Sequence, residues 1–255
     1  LHHKLNDESC DRDIELIEKA KEYMRSSANV TETGVTLYPN AYPMPNFEVA
    51  FTLQFMLFAG LSQEPALRQS YEQWGQKLRE MVGEAPVGIY KDYFPVDCDD
   101  TACAYSVFFD QGISFPVQNM DIFDKQDHFI TFEDEFQVSI SATCRAVYLY
   151  RQLGRDVTKY QDYIVSKQHK DGYWRDKWHL SRLYTTFLAS LVLDPVRHQD
   201  SMTRAVRYIV NTQTEQGGWH GYNPNASEAA EAVFCLHNYL QAMGDSVDVT
   251  LRDNI

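Results

Sequence analysis

Two turns in the second half of the chain have the same form. Gln168-His169-Lys170-Asp171-Gly172-Tyr173-Trp174 closes one helical pattern and precedes the next. Gln213-Thr214-Glu215-Gln216-Gly217-Gly218-Trp219 does the same about 45 residues later. A period of that size marks repetition of one supersecondary unit, which buries its apolar face only by stacking on its neighbours. The Gln can bond backbone groups left free at a helix end, the Gly permits a tight turn, and the Trp packs against the following hairpin. Helix hairpins repeated in this way close around a central cavity.

The rest of the chain reads the same way. Apolar residues at helical spacing predict an amphipathic helix over 11–25, a buried apolar helix from Asn46 as its cap to Leu61, and an amphipathic one over 63–82. Further helices are expected from the acidic cluster near Asp97 to Phe109, and over 136–153, 157–169, 178–193, 200–214 and 225–243. Residues 26–44 read as a polar loop, 112–134 as a long irregular link, and no strand ladder is evident. The fold class is therefore all-α: an α/α barrel (toroid) of helix hairpins in a single domain over 11–245. Residues 1–10 read as a disordered or tag-derived start, and 246–255 as a loose tail.

Composition limits the partners. The net charge of -13 argues against nucleic acid and anionic membranes, and aromatics make up 13% of the chain, enough for a core and an aromatic-lined cavity. No apolar run is long enough for a membrane span, and no signal peptide is read. Cys10, Cys98, Cys103, Cys144 and Cys235 are odd in number and mostly lie in apolar runs, which fits reduced thiols in a cytoplasmic protein.

The chemistry-bearing stretch is Pro95-Val96-Asp97-Cys98-Asp99-Asp100-Thr101. Pro95 and Asp97 read as a helix start, with Asp97 at the N-cap and the other two acids in the first turn. Crowded carboxyls cannot all ionise cheaply, so one keeps its proton at a raised pKa. Aimed into an apolar cavity, that proton is a strong general acid. Taken alone, the triplet reads equally as a solvated helix cap.

Four segments in order, over roughly residues 85–245, resemble the proton-initiated (class II) terpene cyclases, particularly the bacterial diterpene type, of the terpenoid cyclase and prenyltransferase α/α-barrel superfamily. Asp97-Cys98-Asp99-Asp100-Thr101-Ala102 fits the acid motif D-x-D-D-T-A. Phe132-Glu133-Asp134-Glu135 with Ser139-Ile140-Ser141 resembles F-x-G-E…S-V-S-T-N-x-H. Asp176-Lys177-Trp178-His179 with Ser181, Tyr184 and Thr186 resembles D-K-W-H-x-S-P-Y-Y-x-T. Gly217-Gly218-Trp219 with Ser227-Glu228-Ala229-Ala230-Glu231-Ala232 resembles the closing G-x-W-G…T-A-E-E-x-A-Y repeat.

The resemblance implies that Asp99 protonates a terminal alkene or epoxide of a linear prenyl substrate, a C15 or C20 prenyl diphosphate, with Asp97 and Asp100 holding the proton in place. It implies cyclisation through carbocations shielded from water and stabilised by aromatic faces. Candidate substrate-binding residues are Trp174, Trp178, His179, Tyr184, Trp219 and Thr143. Lys177, Arg182 and Arg145 are cations near the motifs that could meet a diphosphate, which the family binds with Mg2+. Family members carry a second α/α domain against the active site, so three readings stand open: a homodimer or a second barrel subunit completes the site, this barrel closes its own cavity, or activity has been lost. The sequence departs from the family where Thr143 and Arg145 stand for Asn and His, where Arg182 and Leu183 replace Pro and Tyr, and where His220 follows Trp219. The alternative function is a non-catalytic barrel that binds a prenyl chain or a protein. A zinc site on Asp97, Cys98 and His179 fails on spacing, since adjacent helical residues diverge. Glu133-Asp134-Glu135 reads as a solvated helix start rather than a magnesium motif.

Overall fold

The computed structural model describes residues 18–19, 21–22, 25–26, 29–30, 36–37, 44–90, 94–215, 217–219 and 226–244. Two compact units are distinguished within the span read as one domain, Leu1–Pro45 and Asn46–Ile255. In the first, the described residues between 18 and 26 are helical. Strands β1 (Asn29–Val30) and β2 (Thr36–Leu37) pair antiparallel, with Val30 opposite Thr36. This ribbon corrects the loop expected there.

The second unit is helical, an α/α fold of helix hairpins. Its helices are α1 (Pro45–Phe58), α2 (Pro65–Val82), α3 (Cys98–Asp110), α4 (Ile140–Gln152), α5 (Thr158–Ser166), α6 (Arg182–Val192), α7 (Gln199–Asn211) and α8 (Ala226–Met243). Helices α3, α4 and α6 are buried on nearly every side, whereas α2, α5 and α7 bury one stripe each. A helix apolar all round belongs inside and an amphipathic one outside. The packing follows: α3 on α4, α4 on α6 and α6 on α8 form the inner layer, while α2, α5 and α7 back α3, α4 and α8. The outer helices α5 and α7 return the chain between α4, α6 and α8, so these three inner helices start at the same end. Among the described residues no helix is long and apolar enough to cross a membrane.

Caps decide where the inner helices begin. Ser139 and Ser181 accept the amides of Ala142 and Tyr184, so α4 starts at Ile140 and α6 at Arg182 rather than at 136 and 178. The residues released form loops over the helix starts. Asn46 does not cap α1: it is buried inside the helix and its Nδ2 donates to Gly88 O at 2.9 Å. Within the link, a 3-10 turn (Val117–Ile122) and a bridge between Asp124 and Phe129 return the chain to α3, where Cys98 N donates to Thr131 O at 2.9 Å.

The two Gln–Trp turns are built alike. Gln168 Nε2 donates to Gly172 O at 2.8 Å, and Gln213 Nε2 to Gly217 O at 3.0 Å. Trp174 Nε1 donates to Ile164 O and Trp219 Nε1 to Ile209 O, at 2.7 and 2.8 Å. Each indole thus ties the turn to the outer helix ten residues upstream. Trp174 and Trp219, expected as substrate contacts, are fully and nearly fully buried and are tied by these bonds to the outer helices.

Candidate active site

The acid cluster sits where the sequence places it. Asp97 is the N-cap of α3, and its Oδ1 accepts from Asp100 N at 2.8 Å. Thr101 locks the entry: its Oγ1 donates to Asp97 O at 2.6 Å and accepts from Val87 N at 2.9 Å, while Asp97 N donates to Val87 O at 2.9 Å. The cluster is not a solvated cap. Asp97 and Asp100 are buried, and the Asp99 side chain is only 15% exposed. Burial drives all three upward. Asp99 and Asp100 reach about 7, and Asp97 is pushed well above the usual carboxylate range by burial and by the charge of Asp100.

Opposite Asp99 lies a cation that the sequence marked only as a weak diphosphate contact. Arg145 projects from α4 and is fully buried. Its Nη1 donates to Gln54 Oε1 and, at 3.1 Å, to Cys103 Sγ, and its Nη2 donates to Tyr184 Oη. Its guanidinium lies 4.1 Å from the Phe51 ring centroid. Its Nε is 3.7 Å from Asp99 Oδ1, and neither atom has a hydrogen-bond partner. Four side chains from three helices, Phe51, Gln54, Cys103 and Tyr184, thus fix one charge beside one acid. A fully enclosed guanidinium so engaged is not free for a diphosphate, which corrects the expected role of Arg145.

The Asp176-to-His179 loop seats itself on the start of α4. Asp176 Oδ2 accepts from Ser139 Oγ at 2.8 Å and Ser141 N at 2.9 Å, and its Oδ1 from Trp178 N at 2.9 Å. Lys177 pairs with Glu135 and donates to Gln137 O at 2.7 Å. Glu135, whose side chain is 4% exposed, also accepts from Thr131 N. It is therefore a loop anchor, not part of a solvated helix start, because the helix begins only after Ser139. Lys177 likewise has its charge spent on Glu135 rather than left for a diphosphate. Trp178 Nε1 donates to Thr131 Oγ1 at 3.3 Å, and the half-exposed Trp178 ring meets Phe132 edge-on. His179 packs against Tyr184 with ring centroids 3.9 Å apart and planes tilted by 38°, and burial lowers its pKa.

The structure thus brings Asp97, Asp99, Asp100, Tyr184 and His179 into one neighbourhood, with Arg145 and Lys177, and places Trp178 at its rim. Thr143 lies elsewhere: its Oγ1 donates to Phe129 O and accepts from Phe129 N, pinning the link to α4, so it is not a substrate contact. Arg182 is exposed, with its guanidinium 4.5 Å from the Tyr173 centroid, on the outer side of α6. Sequence reasoning missed Gln54 and the pairing of Arg145 with Asp99. A lone amide and a lone cation within apolar helices were the available signals. Among the described residues no three His, Cys, Asp or Glu side chains converge to hold a metal ion.

The neighbourhood is rimmed by exposed apolar side chains. Phe94 and Val96 precede the acid cluster, Phe136 is fully exposed in the loop before α4, and Trp178 and Leu180 flank His179. On the inner side, Phe55 links Tyr184 and Phe187 at 6.5 and 6.3 Å, and Phe58 meets Tyr148 at 4.7 Å. The site therefore joins a buried acid, a fixed cation and an aromatic wall.

The family model for the squalene-hopene cyclase C-terminal domain matches residues 132–233. The (+)-kolavenyl diphosphate synthase of Herpetosiphon aurantiacus is 30% identical over 226 residues, covering 88% of this chain and 43% of that protein. The terpentedienyl-diphosphate synthase of Kitasatospora griseola is 28% identical over 225 residues, 82% of this chain and 44% of that protein. The chain spans less than half the length of these relatives. The structure of ent-copalyl diphosphate synthase from Streptomyces platensis superposes with a TM-score of 0.70 at 21% identity, covering 85% of this chain and 43% of that one. A type II terpene cyclase from Scytonema, solved with geranylgeranyl dihydroxybenzoate, gives 0.57 at 14% identity over 82% and 65% of the two chains. At such identities the structures show the shared α/α fold. The relatives and the family model make the chain similar to the class II terpene cyclases of the α/α-barrel superfamily.

Proposed function

We propose that this chain carries the proton-donating barrel of a class II terpene cyclase. The observation that supports this best is Asp99: a buried carboxyl lifted to about 7, with the unpartnered Nε–H of Arg145 at 3.7 Å. Protonated Asp99 donates to the terminal alkene or epoxide of a linear prenyl substrate. The carboxylate it leaves behind faces a guanidinium already in place. That interaction strengthens as the proton departs, which is stabilisation of the transition state rather than of the bound substrate. Asp97 and Asp100 position the group. The faces of Phe55, Phe58, Tyr184 and Phe187 would stabilise the migrating positive charge.

The substrate proposed is a prenyl diphosphate of C15 or C20 length. Magnesium would bind with the diphosphate and screen its charge. The exposed apolar rim (Phe94, Phe136, Trp178 and Leu180) supports a covering partner, a second α/α barrel in the same protein or another copy, that keeps water from the cation. The test is incubation with farnesyl and geranylgeranyl diphosphates, with and without magnesium, beside Asp99→Ala. Cyclic product from wild type alone is expected. Only linear alcohol from both after phosphatase treatment would sink the proposal for these substrates.

A further inference from the structure

A second buried acid, outside the cluster on α3, lies on α8. Glu231 is 7% exposed. Its Oε1 accepts from Ser227 Oγ at 3.0 Å, and its Oε2 is buried without a hydrogen-bond partner. A buried carboxyl oxygen left unsatisfied is destabilising, and packing alone gives no reason to keep it.

Its place in the fold suggests a use. The inner helices α4, α6 and α8 start at the same end, and Arg145, Phe187 and Glu231 are the sixth residue of each in turn. One turn beyond Glu231, the Phe234 ring lies 5.8 Å from Phe187. Phe187 lies 6.3 Å from Phe55, and Phe55 lies 6.5 Å from Tyr184, whose hydroxyl accepts from Arg145. An aromatic wall therefore runs from the Arg145–Asp99 pair across α1 and α6 to α8, with Glu231 beside its far end. A prenyl chain protonated at one end of such a wall would carry its charge toward the other.

We propose that Glu231 is the proton acceptor that ends the cyclisation. The inference rests on the cyclase reading and adds a residue to it. Glu231 Oε2 takes a proton from a carbon next to the final cationic centre, and the electron pair of that C–H bond becomes the new C=C bond. One proton enters from Asp99 and one leaves to Glu231, so substrate and product are isomers and no redox partner is needed. Burial, with the charge of Glu228 adding to it, lifts Glu231 to about 7, so a substantial carboxylate fraction is present at neutral pH. The Ser227 hydroxyl holds one oxygen and leaves the other to receive the proton.

The experiment compares products of the purified full chain on geranylgeranyl diphosphate for wild type, Glu231→Gln and Glu231→Asp, with Asp99→Asn as the control for initiation. Gln is isosteric and keeps the Ser227 contact but cannot take the proton. The ratio of deprotonated alkene to water-captured alcohol should fall roughly 10²-fold in Glu231→Gln, and Glu231→Asp should restore much of it. A Glu231→Gln product mixture matching wild type overturns the assignment. So does a Glu231→Asp mixture as depleted in alkene as that of the Gln variant while thermal melting shows both variants folded. Failure of the underlying cyclase reading looks different: wild type itself then returns no cyclic product, and the proposal falls with it.

Discussion

At the scale of single residues the site is governed by one ion pair. Asp99 sits beside a cation and is still shifted upward, so burial outweighs the attraction of Arg145. Two expectations follow. Initiation needs protonated Asp99, so turnover should be level below about pH 6 and fall about tenfold per unit well above 7, read from a pH–rate profile. Replacing Arg145 by Gln removes the charge that lowers Asp99, so the falling limb should move to higher pH. The rate below it should drop by roughly 10²–10³, because the leaving carboxylate loses its partner. Stability carries the same signature. A carboxyl raised in the folded state binds its proton more tightly there, so its contribution is complete below the unfolded pKa and is lost as pH rises toward about 7. Thermal melting of Asp99→Asn across that window should show a shallower loss than wild type.

At the scale of elements, loops determine where helices can start. The helix starts of α4 and α6 are set by Ser139 and Ser181, and Asp176 fastens the loop ahead of α6 to the first turn of α4. The Asp-Lys-Trp-His segment is therefore a clasp on the start of α4. Asp176→Ala leaves Ser141 N and Trp178 N without their acceptor, and a loss of about 1–3 kcal/mol is expected in urea unfolding. The repeat turns offer a paired test. Gly172 has φ 101° and a Cβ there would lie 2.2 Å from Arg204 O, whereas Gly217 has φ 79° and open space around it. Gly217→Ala should cost about 1–2 kcal/mol for the left-handed backbone alone. Gly172→Ala should cost clearly more, since backbone must move.

At the scale of the whole molecule the question is what covers the apolar rim. Phe136 and Leu180 are almost wholly exposed close to the acid cluster. If a second copy of the chain covers this rim, placing charges on both, Phe136→Asp with Leu180→Asp, should leave the melting temperature near wild type while weakening self-association, measured by light scattering. If cyclisation depends on that cover, hydroxylated products should rise in the same variant. The four described cysteines, Cys98, Cys103, Cys144 and Cys235, are all buried and free, which accords with thiols used as small core residues.

Much of this was legible in the sequence. The Gln–Trp turns stated the repeat, helical periodicity stated the all-α class, and Pro95 with Asp97 marked the helix start that gathers three acids. Those features are local: turn chemistry, capping and periodicity act over a few residues, so a linear reading can find them. The boundaries of α4 and α6 were less legible, because serine caps compete with apolar residues just upstream. What only the tertiary structure decided is which distant side chains meet. Gln54, Cys103 and Tyr184 are far apart in sequence, yet they converge on the guanidinium of Arg145, and that turns a candidate diphosphate contact into the partner of Asp99. The same packing ties Trp174, Trp219 and Thr143 to backbone carbonyls of neighbouring segments. Residue type sets what a side chain can do. Its direction, burial and neighbours are set by how inner helices stack, and no local pattern encodes that.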